Sequence, residues 1–336
     1  MTLKKILLLL IVGFMLNACS ENKLDIDVSS IDLDTKFTNL DSTFVHSKSN
    51  ELIRLHHQFE KEITDIYDYQ LGYCLNIGKI SDTAFLRSIH DFTNDKFIKR
   101  VEKRIEEKFS NLESKKINII EALKHLKFHF PQGKIPKNVV FLNSLFQSNA
   151  ACTENEIGIG LERYLGANAD VIKELPEQSF FTWIKEGMDE QFLERDAVCS
   201  WIMTHYVPEK SKDLADGIIQ WGKIIYLTEA CFPNEPKNKI IRYSIEDYKW
   251  AEENELSYWK YLVNEKLLFK NDERDKANML KEGPFTIGLP EKGPDRLGQY
   301  LGWRIVQKFM DKNDISLEQL IKTPYNEILQ AYEIED

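Results

Sequence analysis

The chain has 336 residues, and its 54 acidic side chains outnumber its 44 basic ones, which gives a formal net charge of −10 at pH 7. This acidic balance argues against sequence-independent nucleic-acid binding and against electrostatic attraction to an anionic lipid surface, because both need clustered Lys and Arg. Beyond the N-terminus, no run approaches the roughly 18 consecutive apolar residues of a membrane-spanning helix.

The N-terminus has the pattern of a lipoprotein signal peptide. Two lysines precede the apolar run Ile6–Leu16, which has the length of a signal-peptide core and is too short to span a bilayer. This run leads into Leu16-Asn17-Ala18-Cys19, which resembles the lipobox at which bacterial lipoproteins are cleaved and acylated. We therefore predict a signal peptide at 1–18 and palmitate on Cys19, with an ordinary secretory signal and a chance cysteine as the alternative.

The segment that follows predicts a tether. Residues 19–50 are rich in Asp, Ser, Thr and Asn and contain few apolar side chains, which is typical of a flexible linker. Ser20, directly after the lipidated cysteine, is compatible with transport to the outer membrane. We expect a lipid-anchored protein of the cell envelope, in the outer rather than the inner membrane, with a single mostly helical domain at 51–336.

Helical periodicity opens this domain. Apolar side chains recur every three or four residues in three segments, which are Leu52–Ile66, Phe97–Phe109 and Ile117–Phe130. Two short segments bounded by turn formers then predict strands at Asn138–Leu145 and Glu156–Leu161.

The helical pattern returns after Gly166 and persists. Ser244 begins a capping-box sequence that opens a predicted helix at Ile245–Phe269, and Ser316 begins a second one. No internal repeat is present. The sequence therefore predicts a mainly α fold with a small antiparallel β-sheet, an α+β architecture.

Four cysteines remain after Cys19, and none is spaced as a metal-binding C-x-x-C pair: Cys74, Cys152, Cys199 and Cys231. Export permits disulfides, with three possible pairings. Four cysteines in a chain of this length do not make a disulfide scaffold. We predict buried free thiols or one optional bridge.

One histidine pair has metal-ligand spacing. His125 and His129 stand at i and i+4, so they share a helix face that could hold zinc. The peptidase version of this helix carries Glu after the first histidine, whereas this chain has Leu126. We predict no metal and no cofactor, with these two histidines as the candidates should a metal bind. The pair His56-His57 is interpreted as structural.

No nucleophile or phosphate-binding motif is present, so no catalytic residue is assigned and the chain is not predicted to be an enzyme. A glycine-rich segment near the C-terminus offers an interaction site instead. Gly298 and Gly302 stand one turn apart and permit close packing, while Arg296 in the first turn is unfavourably placed unless it meets a carboxylate. We predict partner contacts through Arg296, Tyr300 and Trp303, with a purely packing role as the alternative.

Four segments in order resemble the GldB family of gliding-motility lipoproteins: GLERYLG at 160–166, GKIIY at 222–226, NELSYW at 254–259 and GWRIV at 302–306. The resemblance implies a cell-envelope component required for surface motility in gliding bacteria. It implies other gliding-motility or secretion-system envelope proteins as partners, with a role in the export or movement of surface adhesins. A periplasmic chaperone for exported adhesins is a further interpretation of the same binding class.

The layout also resembles zincin-like families without their metal helix. Where relatives tend to show Glu-Gly-Lys, this chain has Trp221-Gly222-Lys223, and HExxH occurs nowhere. We therefore predict a non-catalytic, degenerate zincin-like domain that acts through protein contacts. The alternative is a degenerate or unusual metallohydrolase acting on envelope material.

Overall fold

The computed structural model describes residues 22–40, 43, 49–78, 84–207, 210–290 and 293–332. The predicted signal peptide at 1–18 and the predicted lipidation site Cys19 lie outside the described residues. Within the described chain, no helix combines the length and the apolar character needed to cross a bilayer.

A mixed sheet forms the middle of the molecule. Its strands are β1 (Lys36–Asn39), β2 (Asn138–Leu142), β3 (Ala150–Cys152) and β4 (Glu156–Gly160), in the spatial order β1-β2-β4-β3. The mainly α fold with a small sheet is confirmed. The strand direction differs from the prediction, because β1–β2 and β2–β4 are parallel and only β3–β4 is antiparallel. Between the two predicted strands the chain returns through β3, so β4 enters the sheet in the direction of β2.

The N-terminal segment belongs to the folded body. The sequence predicted a tether at 19–50, but Leu24, Val28 and Leu40 are buried and β1 pairs with β2. The side-chain amide of Asn22 donates a 2.7 Å hydrogen bond to the carbonyl oxygen of Pro233. The tether prediction is therefore wrong for residues 22–40, because a few apolar side chains suffice to dock a polar segment.

Helices cover both faces of the sheet. In chain order they are α1 (Ser49–Glu62), α2 (Thr64–Asp68), α3 (Phe85–Asn94), α4 (Lys96–Lys108), α5 (Glu113–His129), α6 (Asp170–Lys173), α7 (Thr182–Glu186), α8 (Leu193–His205), α9 (Leu214–Cys231), α10 (Lys237–Ile240), α11 (Ile245–Asn264), α12 (Glu273–Leu280), α13 (Leu297–Lys312), α14 (Leu317–Lys322) and α15 (Tyr325–Gln330). A π-helical turn lies at Tyr69–Cys74, and 3₁₀ turns lie at Leu161–Tyr164 and Glu190–Phe192.

The two faces of β2 supply two hydrophobic cores. Val140 and Leu142 pack with α1, α2 and α3 in the smaller core. Val139 and Phe141 face the larger core, to which α4, α5, α8, α9 and α13 contribute. This alternation follows from the strand period of two, and it places the sheet between two helical layers.

Two glycines let α9 and α13 approach each other at the centre of the larger core. A Cβ atom on Gly302 would overlap the carbonyl oxygen of Ile218, and one on Gly222 would overlap the carbonyl group of Gly302. Only a hydrogen atom fits at either position. The close packing predicted for Gly302 is present, and its partner is the glycine of another of the four family-like segments.

Candidate partner-binding cleft

Three of the four segments that carry the family resemblance, those at 222–226, 254–259 and 302–306, meet inside the fold. Glu255 accepts hydrogen bonds from Arg304 Nε at 2.9 Å and from the Tyr300 hydroxyl at 3.2 Å, which ties α11 to α13. Trp303 Nε1 donates to Glu229 at 2.6 Å, which ties α13 to α9. Most residues of these segments therefore maintain the architecture.

Lys223 also has a structural role. Its ammonium group is buried and donates to the carbonyl oxygens of Thr323 at 2.6 Å and Ile321 at 3.3 Å, so it caps the C-terminal end of α14. Burial lowers the pKa of Lys223 to about 8. This lysine thus satisfies helix carbonyls and is not available to a ligand.

Two of the three predicted contact residues lie in the core. Tyr300 is 1% exposed and Trp303 is 0% exposed, so neither can touch a partner while the domain is folded. Helix α13 packs against α9, α11 and α12, which leaves little of its surface to solvent. The prediction of partner contact is wrong for these two residues, because their helix is central and not peripheral.

Arg296, the third predicted contact residue, is held by internal carboxylates. Its Nε lies 2.9 Å from Asp295 Oδ2, its Nη1 lies 3.6 Å from Glu282 Oε1, and its guanidinium stacks on the ring of Tyr243. Burial alone would lower the pKa of Arg296, but the two carboxylates raise it above its usual value. The carboxylate that its position near a helix start requires is therefore supplied from within the chain.

Arg296 belongs to a larger cleft that we call the arginine cleft, lined by Arg163, Arg242 and Arg296. Its volume is about 680 Å³, and it shares Arg242, Arg296, Glu282 and Asn149 with an adjoining cavity of about 470 Å³. The three guanidinium groups come from the 3₁₀ turn after β4, the loop before α11 and the residue before α13.

Arg242 is matched by carboxylates, like Arg296. Its Nη1 lies 3.2 Å from Glu282 Oε1, its Nε lies 3.5 Å from Asp196 Oδ1, and its Nη2 donates to the carbonyl oxygen of Gly187 at 2.7 Å. The guanidinium also lies over the ring of Phe192. Glu282 thus bridges Arg242 and Arg296, and its own side chain is 54% exposed.

Arg163 is the guanidinium without a carboxylate. Its Nε donates to Asn149 Oδ1 at 2.7 Å, and its Nη1 reaches the carbonyl oxygen of Phe146 at 3.5 Å. Among the described residues no carboxylate comes within ion-pair distance of Arg163. Burial lowers the pKa of Arg163. A half-buried cation that faces a cavity and lacks a counterion is suited to bind a negatively charged group.

Glu162, the residue before Arg163, fixes the position of Arg163. The Glu162 carboxylate is fully buried and accepts hydrogen bonds from the backbone N–H groups of Ser144 and Phe146, at 3.0 and 2.9 Å. Leu145 and Phe146 both have left-handed backbone angles, with φ of 50° and 63°. Glu162 therefore holds a strained turn, and that turn contacts Arg163.

The candidate metal pair His125 and His129 does not gather a third ligand among the described residues. His125 is buried and His129 is half-buried, and burial lowers the pKa of both, that of His129 to about 4. Over the described ranges, neither belongs to a group of three His, Cys, Asp or Glu ligand atoms within 4.8 Å of one another. The four cysteines whose disulfide pairing the sequence left open are free thiols.

Sequence reasoning did not single out Arg163 or Arg242. Arg163 lies within a family-like segment, which was a signal, but nothing local distinguishes the residue that faces the cleft from the buried Glu162 beside it. A model of the family described as gliding motility protein GldB matches residues 21–333. No curated protein and no solved structure matches the chain.

Proposed function

The chain belongs to the GldB gliding-motility family, and from this premise we propose that it works in gliding motility as a lipid-anchored envelope protein whose arginine cleft holds a carboxylate of a partner protein. The anchor is Cys19, in the outer rather than the inner membrane. The partners are other gliding-motility or secretion-system proteins of the envelope, and the contact supports the export or movement of adhesins.

The observation that carries the proposal is that, among the described residues, no carboxylate lies within ion-pair distance of Arg163. A guanidinium held in place by Asn149 and partly removed from water has lost hydration without gaining an ion pair. A carboxylate from a partner would supply that pair in a bidentate geometry. Hydrogen bonds to charged groups contribute about 1.5–3 kcal/mol, which corresponds to roughly tenfold or more in affinity.

Glu282 supports the same interpretation. Its exposed carboxylate bridges Arg242 and Arg296 at the mouth of the cleft, so it occupies the place where an acidic side chain of a partner would bind. An incoming carboxylate can displace it at little cost, because Glu282 then returns to water. The cleft therefore offers one vacant cation and two that share a replaceable counterion.

The cleft suits a carboxylate better than a metal ion. Asp196, the most buried acidic group of the adjoining cavity, accepts hydrogen bonds from Arg195 at 3.2 Å and from the Tyr164 hydroxyl at 3.1 Å. The apolar ring of Trp221 lines the wall of that adjoining cavity, at the position where relatives tend to show Glu. These contacts favour the binding function over the metallohydrolase alternative.

The test is crosslinking in intact cells, followed by pull-down, in three variants with matched abundance. Arg163→Ala should lower the yield of crosslinked partner about tenfold or more and reduce colony spreading. Glu282→Gln should raise the yield, because it removes the internal competitor. Arg100→Ala, whose arginine pairs with Glu174 on the exposed surface of α4, should change neither. Normal spreading and unchanged crosslinks in Arg163→Ala would refute the proposal.

A further inference from the structure

A second cluster of chemically active side chains lies on α1, on the opposite face of the sheet from the larger core. His56, His57 and Glu60 occupy positions i, i+1 and i+4, so the glutamate lies one turn above both histidines. His56 Nε2 lies 3.7 Å from Glu60 Oε2, and His57 Nδ1 lies 3.9 Å from the same oxygen. All three ligand atoms lie within 4.8 Å of one another.

His56 is the fixed member of this cluster. The residue is 4% exposed, and its ring packs edge-on against Phe85 of α3. Its Nδ1 lies 2.9 Å from the Tyr67 hydroxyl. When Nδ1–H donates to that oxygen, the lone pair of Nε2 points towards Glu60 and His57. A hydrogen bond from the far nitrogen is the usual way in which proteins orient a metal-binding imidazole.

Nε2, the His56 nitrogen that lies nearer to Glu60, has no hydrogen-bond partner among the described residues. This atom is inaccessible to solvent, and no donor or acceptor in the described part of the chain satisfies it. A buried polar atom without a partner is costly, and natural proteins rarely retain one without a role. Burial also lowers the pKa of His56, which favours the neutral imidazole that metal binding requires.

We propose that His56 Nε2, His57 Nδ1 and a Glu60 carboxylate oxygen bind a divalent transition metal ion, with Zn²⁺ as the best match to two nitrogens and one oxygen. Bond lengths of about 2.0–2.1 Å in a tetrahedral site require ligand atoms roughly 3.3 Å apart. The distances of 3.7 and 3.9 Å to Glu60 need only small adjustments. The side chains of His57 and Glu60 can make these adjustments, because His57 is 64% exposed and Glu60 is 55% exposed.

Three ligands leave a fourth coordination position, and because His57 and Glu60 are exposed, that position is left to water or to a ligand from another molecule. This site is independent of the arginine cleft and of the function proposed there. It also differs from the His125 and His129 pair, so zinc bound at either place can be assigned by mutation.

The experiment is a Zn²⁺ titration of the full chain, purified from solubilised membranes without a histidine tag. Calorimetry measures the binding, and the melting temperature measures its effect on stability. We expect one Zn²⁺ per chain and a rise in melting temperature that grows with the zinc concentration. His57→Ala and Glu60→Gln should each weaken binding at least tenfold, and both should fold because these side chains are exposed. Tyr67→Phe should weaken it by about 10–100-fold through the loss of the orienting hydrogen bond.

Two controls decide the assignment. His90→Ala removes an exposed histidine of α3 and should leave zinc binding unchanged. The double variant His125→Ala/His129→Ala should also retain it. Absence of zinc binding in the unaltered chain, or binding that persists in His57→Ala and disappears in the double variant, would overturn the proposal.

Discussion

Glu162 and Arg163 are neighbours in one family-like segment, yet their surroundings are opposite. The Glu162 carboxylate is fully buried and holds the turn at Leu145 and Phe146, whereas the Arg163 guanidinium faces a cavity. A single segment thus supplies one residue to the fold and one to the cleft, and substitution can separate the two roles.

Glu162→Ala should lower the free energy of unfolding by about 2–4 kcal/mol, because it leaves the buried N–H groups of Ser144 and Phe146 without an acceptor. Arg163→Ala, the matched control, should cost no more than about 1 kcal/mol, since Asn149 remains accessible to water. Urea unfolding of both variants measures the difference. Equal losses would show that Arg163 is as structural as its neighbour.

Glu162 should also make stability depend on pH. Burial raises the pKa of Glu162 above the ordinary glutamate value of about 4.3, although its hydrogen bonds oppose the shift. The folded state then binds the proton more tightly than the unfolded state. The resulting stability is fully present below the unfolded pKa and is lost as the pH rises through the folded pKa. Unfolding free energies from pH 4 upwards should fall more steeply in the unaltered chain than in Glu162→Gln, and parallel curves would contradict this.

The structure reverses one expectation about Arg296. The sequence predicted that Arg296 contacts a partner, which would make its loss of little consequence for the fold, but its guanidinium pairs with a carboxylate of Asp295 that is almost as buried as itself. Arg296→Ala would leave that carboxylate without a cation, and we expect a loss of about 3 kcal/mol. Arg100→Ala, at an exposed ion pair, should alter stability only slightly. Thermal melting of the two variants checks this, and an unchanged melting temperature in Arg296→Ala would restore the first expectation.

At the scale of elements, local patterns predicted more than long-range ones could. Periodicity located α4 and α5 to within a few residues, and the capping box at Ser316 is present, because both depend on neighbours within one or two turns. The parallel order of the strands was not predictable in this way, since it depends on how β3 returns the chain.

The same limit applies to the site. The three arginines of the arginine cleft lie far apart in the chain, and only the tertiary fold brings them together. The burial of Tyr300 and Trp303 could not be predicted from the sequence for a similar reason, because an apolar helix face can pack on a partner or on the core. Polarity alone does not distinguish these outcomes.

The contact between α9 and α13 can be tested with a single methyl group. In Gly302→Ala the Cβ atom would overlap the carbonyl oxygen of Ile218, a backbone atom that cannot move without shifting α9. We expect a loss of about 3 kcal/mol, at the upper end of typical overpacking costs. Gly72→Ala is the control, since open space surrounds that position and its cost should stay within about 1 kcal/mol. A similar stability of both variants would contradict the proposed packing.

At the scale of the whole molecule, the docked N-terminal segment changes how the body relates to a membrane. Asn22 is bound to the carbonyl oxygen of Pro233, and Asn234 donates to Asp25, so the chain enters the body beside the loop that follows α9. Two residues separate Asn22 from the predicted anchor at Cys19, so the three Cα-to-Cα steps between them span at most about 11 Å. An acylated Cys19 would therefore hold this face close to the bilayer, whereas the predicted tether would have allowed a much longer reach.

We expect the predicted lipid on Cys19, and not the protein body, to attach the chain to the membrane, because the acidic body has no attraction of its own for anionic lipids. Cys19→Ala should abolish incorporation of a labelled fatty acid and stop colony spreading. Its melting temperature should stay unchanged in the processed chain, since no described contact depends on residue 19. Cys74→Ala is the control, because it removes a buried thiol within the fold and should leave the label in place. The readout is metabolic labelling with an alkyne palmitate analogue. Label that persists in Cys19→Ala would show that a residue other than Cys19 carries the lipid.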